Sequence, residues 1–268
     1  DRPGRMGDLF RRNLASFPGE VVPVTASAAT VAGRTAYPTL AAVDGDIDLA
    51  VVVVPAPAAP GVIRDAAAKG VPAAIFIAGG FAESGPDGAR LQDELVAAAR
   101  TGGVRIVGPN CFGVQNCDLP LNASMASGAP PGGGGITLVT QSGAYGMAIH
   151  TLGLDEQTRF AKVYAAGNKA DIGDAELVRY LGADPASRTL CFFVESLPDG
   201  RAFYEAARAV TRTKPVIVAK TGRSAAGVRA ARSHTAALAG SERIWRAAVD
   251  QAGMILARSG LEMMDKPM

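Results

Sequence analysis

Two parallel α/β domains in tandem are predicted by three features of the sequence. Short apolar runs rich in Val and Ile alternate with stretches of helical periodicity along the whole chain. The runs are unbroken rather than alternating apolar with polar residues, as in strands that helices cover on both faces. Near the middle, residues 122–135 (NASMASGAPPGGGG) are small, Pro/Gly-rich and without periodicity, the pattern of an exposed connection between domains.

In the first half the apolar runs predict strands over 21–24, 49–54 (LAVVVV), 73–78 (AAIFIA) and 104–107 (VRIV). Helical periodicity fills the intervals at 8–16, 59–69 and 87–101. In the second half strands are expected over 136–140, 160–165, 189–194, 215–220 and 254–257, and helices over 144–152, 174–181, 200–213 and 241–251. This order gives a Rossmann-like domain over 1–121, a linker over 122–135 and a flavodoxin-like parallel-sheet domain over 136–268. Ligands of such sheets bind beyond the carboxyl ends of the strands, so function is sought in the loops that follow them.

Composition bounds what those loops do. A chain of 268 residues suits one large or two ordinary domains, and a 48% hydrophobic content excludes wholesale disorder. Lys plus Arg is 27 and Asp plus Glu 25, a net charge of +2, which argues against nucleic acid and anionic membrane as partners. The longest strong apolar run, 49–55, has strand length, so no membrane span is expected. The opening DRPGRMGDLF has no signal-peptide pattern, and three cysteines, few and odd in number, suit a reducing compartment. A cytoplasmic protein is expected. Two His and three scattered Cys have no metal-ligand spacing, so no metal site is expected either.

Six loops can carry chemistry. Gly4 and Gly7 stand before the first helix like the tail of a phosphate-binding glycine loop, and a plain helix entry explains them equally. The run 55–60 (PAPAAP) is stiff and apolar, suited to lining a flat ring or to a rigid turn. Gly79-Gly80-Phe81-Ala82-Glu83 follows the third strand, and its adjacent glycines let main chain approach a ligand closely. Asn110 follows the fourth strand and can hydrogen-bond a polar ligand, while Cys111 has no His or Asp nearby in sequence to activate it and reads as a small pocket-lining residue.

In the second half Gln141-Ser142-Gly143 leads a strand into a helix. Ser142 can cap that helix and Gly143 can free its amides and dipole to face an anion; an ordinary Ser cap is the plainer account. The longest loop, 221–240 (TGRSAAGVRAARSHTAALAG), follows Lys220, is rich in Gly, Ala, Ser and Arg, and holds His234. An imidazole among small residues and Arg223, Arg229 and Arg232 can accept a phosphoryl group; a surface histidine is the simpler reading. His150, the other histidine, lies on a predicted amphipathic helix and reads as structural.

Taken together, the strings GGFAESG, GPNCFGV, TQSGAYG, GNKADIGDAELVRYL and KTGRS…SHTAALAGS resemble the nucleoside-diphosphate-forming acyl-CoA synthetases, in order and over nearly the whole chain. They are similar, more distantly, to the α subunit of succinyl-CoA synthetase. The resemblance implies a CoA-binding Rossmann domain followed by a flavodoxin-like CoA-ligase domain. It also implies a reversible reaction: acyl-CoA and phosphate give an acyl phosphate, a loop histidine takes the phosphoryl group, and a nucleoside diphosphate on an ATP-grasp domain receives it.

By the same resemblance His234 is the phosphorylated residue and Glu195, at the end of strand 189–194, orients its ring. Gln141, Ser142 and Gly143 hold the phosphoryl group by amides and helix dipole. Gly4, Gly7, Val54, Pro55, Ala56, Gly79, Gly80, Phe81, Asn110 and Cys111 contact CoA and the thioester region. Asn168 and Lys169 fall near the phosphate site or a subunit contact. CoA or acyl-CoA and phosphate are the implied ligands of this chain, with ADP or ATP and Mg²⁺ on the ATP-grasp domain or subunit that is the implied partner; a homo-oligomer is compatible with this.

Three departures from the family pattern stand out. The opening strand and the start of the glycine loop are expected before Asp1. Thr25-Ala26-Ser27 stands where the family often reads Asn-Pro-Lys, so Ser27 supplies no cation to a CoA phosphate. Ala236 stands where the histidine motif usually has Gly. The 268 residues include no ATP-grasp pattern, and 261–268 resemble a linker into a further domain. The alternative reading is a CoA- or acyl-CoA-sensing module of a protein acetyltransferase that turns nothing over; Glu195 and His234 favour the enzyme.

Overall fold

The computed structural model describes residues 4–128, 132–221 and 241–265. The first unit begins with α1 (Met6–Asn13) and a short antiparallel hairpin, β1 (Thr30–Val31) and β2 (Arg34–Thr35). Then β3 (Ala50–Val52), β4 (Ala73–Phe76) and β5 (Arg105–Val107) form a three-stranded parallel sheet in the order β3-β4-β5. The crossovers are α2 (Ala59–Lys69) and α3 (Pro86–Gly102), each with a proline in its first turn, where the missing N–H costs nothing. Ile63, Phe76, Phe81, Leu95 and Ile106 fill the core between sheet and helices.

The second unit is a seven-stranded sheet, ordered β12-β11-β10-β8-β9-β6-β7. Its parallel part comprises β8 (Ile136–Thr140), β9 (Phe160–Ala165), β10 (Thr189–Val194), β11 (Val216–Lys220) and β12 (Ile255–Leu256). These five strands run where the unbroken apolar pattern put them to within a residue, because Leu138, Phe160, Leu190, Phe192, Ile217 and Val218 are sealed from solvent on both faces of the sheet. The described helices of this unit are α4 (Gly143–Asp155), α5 (Asp174–Ala183), α6 (Gly200–Val210), α7 (Glu242–Gln251) and α8 (Gly260–Asp265). Phe192 meets Phe203 of α6 edge to face at 5.7 Å.

Four expectations are corrected. Residues 21–24 form no strand: Val24 makes a single bridge to Tyr37, and Pro23, lacking an N–H, interrupts any ladder. The connection expected from 122 begins later. Residues 122–124 lie in β7 (Leu121–Ser124), which pairs antiparallel with β6 (Gly113–Asn116), itself antiparallel to β9. The expected parallel sheet is therefore mixed at one edge. These strands are polar in sequence and escape an apolar-run reading, yet Gln115, Asn122 and Ser124 are buried and bond one another at 2.6–3.2 Å. Residues 261–265 of the expected linker lie in α8, which buries Met263 and Met264 in the second unit's core. Finally, α4 carries apolar residues on its outer face as well: Met147 and Leu154 are exposed, while His150 is buried.

Both units are pinned together by side chains. Asn13 of α1 donates to the main-chain oxygens of Ser124 and Ala126 at 2.8 and 2.7 Å. Asp171 Oδ2 accepts from Ile106 N at 2.8 Å and from Arg105 Nε at 2.9 Å, and Arg105 also grips Glu176 with both terminal nitrogens. No helix among the described residues is long and apolar enough to cross a membrane, and no three His, Cys, Asp or Glu among them gather as metal ligands.

Candidate active site

The loops at the carboxyl ends of β3, β4 and β5 lie side by side. Pro55 and Ala56 follow β3, Gly79 and Gly80 follow β4, and Asn110 follows β5. Asn110 N donates to Ala78 O at 2.9 Å, and a Cβ on Gly80 would lie 3.2 Å from that of Ala56. Gly79, Gly80, Pro55 and Asn110 are exposed and Val54 is half-buried. Phe81 and Cys111 sit differently from the pocket-lining expectation. The Phe81 ring is fully buried in the first core, and Cys111 Sγ turns inward to Phe76 O at 3.4 Å. Burial pushes the Cys111 thiol up to about 12, which removes it as a nucleophile. Gly4, with a left-handed φ of +81°, leads into the cap of α1, and Gly4 and Gly7 are both exposed.

Glu83 organises this end of the first sheet. Its Oε1 accepts from Gly80 N at 2.6 Å and Phe81 N at 3.2 Å, and its Oε2 accepts from Asn168 Nδ2 at 2.6 Å. Burial pushes the Glu83 carboxyl up, but the Asn168 and main-chain donors more than offset it, leaving the group below the usual carboxylate range. The sequence places Glu83 in this loop without a role, although its spacing behind Gly79-Gly80 marks a side chain that can turn back onto the preceding amides.

In the second sheet the chain goes from β8 to β9 on one side and to β10 on the other, so a crevice opens between the ends of β8 and β10. Gln141 bridges it. Gln141 Oε1 accepts from Glu195 N at 3.1 Å and Ser196 N at 2.9 Å, while its Nε2 donates to Ser196 Oγ at 2.9 Å. Gln141 N donates to Phe193 O at 3.2 Å, so this residue braces the crevice instead of offering its amide to an anion. Ser142 Oγ accepts from Tyr145 N at 3.3 Å as the cap of α4. The first N–H groups of a helix have no partner within it, so the α4 terminus at Gly143 presents donors and positive potential.

Two lysines converge on the same stretch. Lys220 Nζ, at the end of β11, donates to Glu195 O at 3.1 Å and Thr221 O at 3.3 Å. Lys169 Nζ donates to Asp174 Oδ2 at 2.7 Å and Ser196 O at 3.0 Å. Burial lowers the proton affinity of both lysines, and Asp174 and Glu195 for Lys169, Glu242 and Glu195 for Lys220, pull against it. His234, with Ala236, Arg223, Arg229 and Arg232, lies outside the described residues.

The two sets of loops meet. Asn168 N donates to Pro109 O at 2.9 Å, Ala170 N to Gly108 O at 3.1 Å, and Asn110 Nδ2 to Asn168 Oδ1 at 3.3 Å. Gly167 takes a left-handed φ of +56°, and a Cβ there would stand 2.3 Å from Pro109 O. A cavity of about 490 Å³ lies elsewhere, beside Val21, Pro23, Arg34 and Tyr37. At the expected CoA cation position Ser27 Oγ is 2.9 Å from Thr25 Oγ1 in an exposed turn.

Comparison with known proteins gives these findings. Residues 133–267 match the model of the succinyl-CoA ligase like flavodoxin domain, and residues 1–116 that of a CoA binding domain. The chain is 38% identical over 262 residues to "Acetate--CoA ligase [ADP-forming] I" of Archaeoglobus fulgidus, covering 98% of this chain and 38% of that protein. It is 38% identical over 263 residues to "Acetate--CoA ligase [ADP-forming] II subunit alpha" of Pyrococcus furiosus, covering 98% of this chain and 57% of that one. Among solved structures it superposes, with a TM-score of 0.93 and 34% identity, on the dinucleotide forming acetyl-coenzyme A synthetase 1 of Ca. Korarchaeum cryptofilum in complex with phosphate and ADP, over 99% of this chain and 57% of that one. The chain thus spans 38% to 57% of the length of these relatives.

Proposed function

The chain belongs to the family of the succinyl-CoA ligase like flavodoxin domain, joined here to a CoA binding domain, and on that premise we propose that it is the CoA-binding and ligase part of an ADP-forming acyl-CoA ligase. One observation carries this reading: a single turn, Gly167 to Asp174, bonds to the strand-end loops of the first sheet through Asn168 and to the main chain beside Glu195 through Lys169. A thioester bound over the first loops therefore lies next to the crevice where a phosphoryl group is received.

In the proposed reaction a phosphate oxygen attacks the thioester carbonyl. The carbon–sulfur bond breaks, CoA leaves as thiolate, and an acyl phosphate remains. A ring nitrogen of His234 attacks its phosphorus, the bond from phosphorus to the acyl oxygen breaks, and the carboxylate departs. Ser142 and Gly143 at the start of α4 hold the phosphoryl oxygens, and Glu195 accepts the N–H of the other ring nitrogen, fixing the tautomer. The phosphoryl group then passes to ADP, which with Mg²⁺ belongs to an ATP-grasp partner. Acetate is the acid named in the relatives, and acetyl-CoA is the first substrate to try. Without a cation at Ser27, CoA is held chiefly by main chain and apolar contact. The setting is cytoplasmic.

The test is CoA release from acetyl-CoA and from larger acyl-CoAs in the presence of phosphate, followed by a thiol reagent, with the ATP-grasp subunit of a relative and ADP added. Phosphate-dependent release with one acyl group preferred supports the reading. Tight acyl-CoA binding with no release by any combination contradicts it and points to a sensing module.

A further inference from the structure

The Lys169 ammonium is nearly sealed from solvent, its side chain 2% exposed and that of Asp174 5%. Its two bonds, to Asp174 Oδ2 and Ser196 O, tie the start of α5 to the residue after Glu195. Lys169 also sits in the left-handed region at φ +55°, a conformation that costs a non-glycine residue energy and persists where the surroundings enforce it. Its neighbours enforce it: Asn168 is bonded to Glu83, Gln92 and Pro109 O, and Asp171 to Ile106 N.

We propose that Lys169 is a positioning residue for phosphoryl transfer, fixing the main chain at Ser196 so that Glu195 meets the accepting histidine, and coupling that placement to the CoA-side loops through Asn168. This rests on the function proposed above and deepens it.

A buried ammonium replaced alone leaves a buried carboxylate without its cation, whereas removing both members of such a pair is often tolerated. Among the described residues Lys169 and Lys220 both carry their charge toward Glu195, and Asp174 is the carboxylate bonded to Lys169. Removing Lys169 together with Asp174 takes away one charge of each sign, and removing Lys169 alone leaves the Asp174 carboxylate buried without its cation.

The experiment measures protein phosphorylation by phosphate against acyl-CoA concentration in the wild type, Lys169→Met and the double variant Lys169→Met/Asp174→Leu, with thermal unfolding as a check on folding. In the double variant, which restores a neutral core, the phosphorylation rate is expected to fall about tenfold or more with the KM for acyl-CoA unchanged. The single variant, if folded, is expected to lose at least as much rate as the double, because it also leaves the Asp174 carboxylate buried without its cation. A double variant that folds and phosphorylates at the wild-type rate overturns the role of Lys169 while leaving the proposed function intact. A wild type that is never phosphorylated overturns both.

Discussion

Asn168 Nδ2 lies 2.6 Å from Glu83 Oε2, a bond between a turn of the second sheet and a strand-end loop of the first. It is one side of a small polar cluster in which Glu83 also gathers the amides of Gly80 and Phe81. The loops proposed to hold CoA are shaped by a residue that belongs to the ligase unit.

This gives a pH prediction for Glu83. Its carboxyl lies below its ordinary value of 4.5, so the stability it confers is complete above that value and is lost as pH falls through the folded pKa. Glu83→Gln is expected to be less stable than the wild type at pH 7 by about 1 kcal/mol, a figure already reduced for solvent exposure. The two proteins converge at acid pH. Urea unfolding at a series of pH values checks this, and a constant difference across the series contradicts it.

Asp171 gives a second prediction, about the junction itself. Removing its carboxylate leaves the buried Ile106 N–H without its acceptor and releases Arg105. Asp171→Ala is expected to cost about 2 kcal/mol, within the range for a buried donor left unsatisfied. Chemical denaturation measures the loss, and a change under about 0.5 kcal/mol is the size of an ordinary surface substitution and contradicts the account.

At Gly167 the side chain itself is excluded. A methyl group there meets Pro109 O at 2.3 Å and must also accept a left-handed φ. Gly167→Ala is expected to push the turn off the Gly108–Asn110 loop, weakening acyl-CoA binding and slowing phosphorylation together. Calorimetric titration with acyl-CoA checks the first of these. Wild-type affinity would show that the turn and the loop are independent.

Gln141 should behave differently from Gly167. Gln141→Leu removes the acceptor of two main-chain N–H groups, Glu195 and Ser196, at a cost of about 1–3 kcal/mol. Acyl-CoA affinity is expected to stay near the wild-type value while the phosphorylation rate falls, because the defect lies in the second sheet alone. A joint loss of binding and rate contradicts this division of labour.

The strands that seat the site were legible because their residues are apolar on both faces: 136–140, 160–165 and 189–194 appear at the expected bounds. Gln141 and Ser142 follow from those strand ends, and Glu195 from the family resemblance. The polar strands β6 and β7 were not legible, since Gln115, Asn122 and Ser124 are buried while hydrogen-bonded to one another, which no apolar pattern records. Lys169 was noticed only as part of a motif. That its ammonium would be buried depends on Asp174, five residues away, and on Ser196, brought to it by the sheet. The brace formed by Gln141 was invisible for the same reason: the sequence marks a strand end, and the fold decides that its side chain crosses to the next strand.

The most direct test of the central claim is to locate the phosphoryl group. The chain is incubated with acetyl phosphate, which bypasses CoA altogether, and is then digested at neutral pH and mapped by mass spectrometry. The account predicts an acid-labile phosphoryl group on the peptide holding His234, absent from His234→Asn and strongly reduced in Glu195→Gln. A phosphoryl group on another residue, or none on a folded wild-type chain supplied with an ATP-grasp subunit, would contradict it.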